Sequence, residues 1–175
     1  MFLTLSDWAR RRVQGAPGNQ NKGAPVEYGS GRPVVPYEFL DHISDVYVHV
    51  TAPDLAGIFS EAALATYEVM LDTGSVRPAK EMRVEVEADD LEQLLYKWID
   101  RLIYLFDAES FALSGAKVLS VAEGRGTSSI SAKLLGEEYD PSAHGHRTGV
   151  KAMTYSLMRI FKGEDLWHAY FVLDI

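Results

Sequence analysis

The 175-residue chain contains no cysteine, which excludes disulfides, thiolate metal sites and cysteine nucleophiles together. It has no apolar run near the roughly 20 residues that a spanning helix needs, and 1–6 is too short and wrongly flanked for a signal peptide. These absences predict a soluble, intracellular protein, cytoplasmic or, in a eukaryote, also nuclear, and are compatible with a reducing compartment. Positive charge is also scarce after the first thirty-six residues. Residues 1–36 hold five Lys or Arg against two acids, whereas 37–175 hold twelve against twenty-three, a net charge of −11. An acidic body repels polyphosphate, so high-affinity nucleic-acid binding is not expected, while docking on a basic protein is electrostatically favourable. A phosphate-cradling loop is missing too: Gly124-Arg125-Gly126 lacks the lysine and the following helix of a P-loop.

What is present divides the chain at residue 36. Arg10-Arg11-Arg12 is followed by glycine and proline at 15, 17, 18, 23, 25, 29, 31, 33 and 36, a composition that cannot bury a core. Residues 1–36 are therefore predicted to be a flexible, disordered basic tail and 37–175 to be one domain, for which an apolar content of 47% supplies a core.

Within that domain, 37–40 and 46–51 read as strands, the second alternating Val46, Val48 and Val50 with Tyr47 and His49. Asp54 caps a helix whose face is Leu55, Ile58, Phe59, Ala62, Ala63, Tyr67 and Met70, ending near Asp72. Gly57 in its first turn costs about 1 kcal/mol relative to alanine, which predicts a frayed start. Residues 82–87 alternate as a strand with one wet face. Asp89 or Asp90 then caps a second, more strongly amphipathic helix bearing Leu91, Leu94, Leu95, Trp98, Leu102, Leu105 and Phe106. Strands follow at 111–122 and 127–135 around a glycine turn, then at 150–161 and 167–173. The segment 150–161 also fits a helix face through Met153, Leu157, Ile160 and Phe161, but Thr154 and Tyr155 favour a strand. The fold class is α+β: two amphipathic helices packed on a mostly antiparallel or mixed sheet as a two-layer sandwich.

The chemistry-bearing residues cluster at the domain's ends. Residues 37–45, Tyr-Glu-Phe-Leu-Asp-His-Ile-Ser-Asp, place Asp41, His42 and Asp45 together, and the chain closes on Asp174-Ile175. Asp45, the Asp174 side chain and the Ile175 carboxylate are hard oxygen donors suited to a divalent cation such as calcium, or magnesium or manganese, rather than zinc. An aspartate in a turn also commonly accepts backbone N–H bonds and nothing more. His42, Asp45 and Asp174 together leave a metal-dependent hydrolase open as an alternative, and a chaperone-like protein-binding module is a third class. His144 and His146 form a weak His-x-His signal for zinc.

The stretch 37–45 resembles the opening of the archease family, Tyr-Glu-x-Leu-Asp-His-Thr-Ala-Asp, with Ile43 and Ser44 in place of Thr-Ala. Further blocks agree in order: 59–63 with Val69, Met70 and Asp72; 89–95; Gly136-Glu137 with His144 and 150–155; and Asp174-Ile175. Gly149 stands where the family usually has an acid. The resemblance implies a metal-binding, non-enzymatic protein cofactor of the GTP-dependent RtcB-type tRNA-splicing ligase, promoting ligase guanylylation and multiple turnover. It implies metal ligation by Asp45, Asp174 and Ile175. Lys151, Asp41 and His42 are the partner-facing candidates. The unremarkable alternatives are a solvated lysine for Lys151 and a structural hydrogen-bonder for His42.

Overall fold

Every strand pairing among the described residues is antiparallel in the computed structural model, which describes residues 25–28, 32–40, 45–124 and 126–175. The strands are β1 (Val26–Tyr28), β2 (Arg32–Val34), β3 (Tyr37–Leu40), β4 (Asp45–Ala52), β5 (Lys80–Ala88), β6 (Phe111–Ala122), β7 (Ser128–Glu138), β8 (Ala152–Lys162) and β9 (Trp167–Asp174). The helices are α1 (Leu55–Met70), α2 (Leu91–Glu109) and the single turn α3 (Pro141–His144). The fold is α+β, but in place of the expected single sheet, β3 to β9 form a four-stranded sheet in the order β3-β4-β9-β8 and a three-stranded one in the order β5-β7-β6, with β1-β2 a separate pair. Both helices bear on both sheets, α1 on β4, β9 and β6, and α2 on β8 and β5.

Local sequence explains the elements. Asp54 accepts the Gly57 N–H at 2.7 Å and Asp90 accepts the Gln93 N–H at 2.8 Å, each satisfying a donor that the first helical turn leaves orphaned. The start of α1 is thus capped rather than frayed. Gly57 is there because a Cβ would stand 2.7 Å from the Ala52 Cβ, so its helical cost allows α1 to lie tight against the end of β4. Helix α1 is buried on nearly all sides, whereas α2 keeps one wet face, as its stronger amphipathic pattern predicts. The Trp98 Nε1–H donates to the Phe59 carbonyl at 3.0 Å and the Tyr67 hydroxyl to the Leu102 carbonyl at 3.1 Å, so each helix satisfies a buried polar group of the other.

Within the predicted tail, Val26–Tyr28 and Arg32–Val34 pair antiparallel as β1 and β2, Val26 opposite Val34. The join to the domain is also built: the Thr51 N–H donates to the Pro36 carbonyl at 2.8 Å and its hydroxyl to the Val35 carbonyl at 2.9 Å. Residues 1–24, which carry most of the predicted tail, lie outside the described residues.

Strand β8 resolves the helix-or-strand ambiguity. Its ladder to β9 shifts register between Thr154 and Arg159, where Leu157 has φ of 57°. The bulge reverses inside and outside, so buried Met153 and Met158 are five residues apart on one strand. The residues that fit a helix face do not share one here: Leu157 and Phe161 are exposed while Met153 is buried.

Gly136 on β7 gives the largest stability prediction. A Cβ there would overlap the Ala112 carbonyl oxygen and approach the Phe111 ring. Backbone cannot yield as a flexible side chain does, so Gly136→Ala is expected to cost roughly 3 kcal/mol. Chemical denaturation measures it; a loss below 1 kcal/mol would show that β6 and β7 can part there.

Candidate functional site

The register of β4 and β9 sets Asp45 directly opposite Asp174, and on the other side β8 sets Ala152 opposite Asp174. Opposed residues share a face, with Cβ atoms about 4.5–5.5 Å apart. Val48, Val50, Ala169, Phe171 and Leu173 fill the core with alternate positions of these strands, so Asp45 and Asp174 fall on the face turned away from it. Both are half-buried, and Ile175 and Lys151 are exposed.

Lys151 binds the end of the chain twice. Its backbone N–H donates to the Asp174 carbonyl at 2.8 Å, and its Nζ donates to the Ile175 main-chain oxygen at 2.9 Å. The segment that delivers it is pinned to the end of α1. There the Arg147 guanidinium donates to the Glu68 carbonyl and carboxylate, both at 2.6 Å, and the Arg147 N–H to the Met70 carbonyl at 2.9 Å. Val150 is buried just before the lysine.

Of the residues singled out in the sequence, Asp45, Asp174, Ile175 and Lys151 therefore meet at one end of the four-stranded sheet. Asp41 and His42 lie outside the described residues. Two carboxylates and a main-chain oxygen are hard donors, which fit a cation such as calcium or magnesium better than zinc. Among the described residues no group of three or more His, Asp or Glu is placed to hold a metal. Beside the Asp45 and Asp174 side chains, a further oxygen at this end is the Ile175 main-chain oxygen, which accepts from Lys151 Nζ at 2.9 Å.

His144 and His146 do not form a metal pair. The Asp140 N–H donates to His144 Nδ1 at 3.0 Å, so that nitrogen is the acceptor and the proton sits on Nε2, 3.2 Å from Glu137 Oε1. His146 Nδ1 lies 3.1 Å from the Tyr139 hydroxyl instead.

Glu137 is the residue that sequence reasoning left without a role. Its buried carboxylate accepts from the Arg77 N–H at 2.8 Å and the Arg77 guanidinium at 2.7 Å, joining the turn after α1 to β7 and α3. A partner sixty positions away leaves no local signal, and only the family block had pointed to it. The side-chain hydrogen bond from Arg77 leads in holding the Glu137 carboxyl down at about 2. Depression of a folded-state carboxyl means stability that is present above the ordinary carboxylate range and lost as pH falls toward 2. Melting temperature is thus expected to fall over that window more steeply in the wild type than in Glu137→Gln; parallel curves would remove Glu137 as a contributor to acid sensitivity.

The architecture defines a class: a small α+β domain, acidic overall, with an oxygen-rich end formed where an inner strand meets the last one. Comparison with known proteins narrows it. The model of the archease protein family (MTH1598/TM1083) matches residues 37–175. Protein archease of Pyrobaculum neutrophilum is 44% identical over 141 residues, covering 79% of this chain and 95% of its own length. That of Aeropyrum pernix is 40% identical over 135 residues, 77% and 94% respectively. The solution structure of Methanobacterium thermoautotrophicum protein 1598 superposes with a TM-score of 0.68 at 33% identity, over 80% of this chain and 99% of that one. The chain belongs to the archease family. Among the described residues no helix is long and apolar enough to cross a membrane.

Proposed function

We propose that this protein is a metal-binding, non-enzymatic activator of a GTP-dependent RtcB-type RNA ligase of tRNA splicing, working in the cytoplasm to promote ligase guanylylation and multiple turnover. The observation that carries this reading is the cross-strand pairing of Asp45 with Asp174 beside the Ile175 oxygen, an all-oxygen donor set at the places where family resemblance puts the metal. Calcium is the first choice of cation, with magnesium or manganese as alternatives. A cation at this end supplies positive charge against clustered phosphates. The chain's own residues hold that charge at the tip of an acidic body, which favours approach to a basic ligase surface over approach to RNA.

Two assays separate an activator from a hydrolase. Incubated alone with nucleotides or model esters, the purified chain should turn over nothing with or without divalent cations. Mixed at limiting amounts with a purified ligase, it should raise ligation. Metal-dependent turnover by the chain alone would contradict the activator reading.

A further inference from the structure

We propose that Lys151 is a tethered counter-cation of the Asp45–Asp174–Ile175 site: its ammonium competes with the divalent ion for the Ile175 oxygen, and metal binding releases it toward a phosphate on the partner. This rests on the metal site proposed above and adds a role for a residue that is not a ligand.

The geometry separates what the Lys151 backbone does from what its side chain does. The N–H bond to the Asp174 carbonyl, 2.8 Å long, holds the end of β9 whatever side chain stands at 151. Asp174 is held again by its pairing with Asp45 and Ala152, and the incoming segment by Arg147 on Glu68. The Nζ bond to Ile175, at 2.9 Å, is a separate and exposed contact. Removing it leaves the two aspartates where they are.

Charge then decides the sign. A unit positive charge within hydrogen-bond reach of one of the donors repels an incoming divalent ion, although exposure and salt weaken the effect. An ammonium on a flexible four-carbon stem can swing clear when the ion arrives, where a rigid group could not. Swung outward at the tip of an acidic body, it is a point charge suited to a phosphate oxygen. The arrangement makes the lysine's availability depend on whether the metal is in place.

Calcium titrated into the full chain by calorimetry tests this with wild type, Lys151→Met and Lys151→Arg. Lys151→Met is expected to bind calcium on the order of tenfold more tightly, since it loses the competing charge, while Lys151→Arg stays near wild type. Amine-reactive labelling read by peptide mass should also show Lys151 modified faster in calcium than in chelator. Unchanged or weaker calcium binding by Lys151→Met, or labelling that calcium does not accelerate, would overturn the competition while leaving the metal site standing. If none of the three proteins binds calcium, the metal site itself falls and the inference with it.

Discussion

Asp45→Ala is expected to abolish activation of the ligase while the domain stays folded. Asp45 begins β4 on the side away from the core, and the strand's buried contacts come from Val48, Val50 and Ala52. Truncating a half-exposed carboxylate at such a position costs about 1 kcal/mol or less. Its loss removes half of the carboxylate pair, however, and loss of a direct ligand should exceed the roughly 10–100-fold penalty that outer-shell partners of metals carry. In chelator the variant should melt close to wild type. With excess calcium only the wild type should gain stability, because a ligand that binds the folded state alone raises its melting point. Full activation by a variant that has lost this shift would show that metal at the site has no part in function.

Extending the chain past Ile175 should have a comparable effect for a different reason. Any added residue turns the Ile175 carboxylate into an amide, which removes a negative charge and leaves both aspartates in place. The acceptor that Lys151 holds at 2.9 Å also loses its charge, so the ammonium grips a neutral carbonyl. Calcium affinity is expected to fall by about tenfold or more, and activation with it. The same tag placed before Met1 is the matched control, because it leaves the Ile175 carboxylate unmodified. Calorimetry on untagged, N-tagged and C-tagged chains decides the point. Equal affinity in all three would make Ile175 an ordinary strand end.

Those two residues were legible before the structure, but unevenly. The helices announced themselves through Asp54, Asp90 and the three-four spacing of their apolar faces, and the strands through strict alternation, because caps and periodicity are local. Gly57 read only as a cost, since its reason is the Ala52 Cβ across a chain reversal. The division into two sheets was hidden for a related cause: alternation says that a segment is a strand, not which strand it pairs with. Likewise Glu137 and Arg77 are ordinary in sequence and become an ion pair, its carboxylate buried and its guanidinium exposed, only when β7 passes the turn after α1.

At the candidate site, the sequence names Asp45, Asp174 and Ile175 and the ends of the domain at which they sit. Opposition of Asp45 and Asp174 required the register of β4 and β9, which is set by the whole hydrophobic pattern of both strands. Sequence alone leaves Lys151 facing a partner or solvent. The structure gives it a closer neighbour in Ile175, twenty-four positions along and just past the end of β9.

The most direct measurement counts the ligase molecules guanylylated per molecule of this chain, using substoichiometric chain, with calcium or with chelator. The account predicts many guanylylated ligases for each chain in calcium, and a fall to the ligase-only level in chelator and for Asp45→Ala. No stimulation above the ligase alone in calcium, or equal stimulation in chelator, would contradict it.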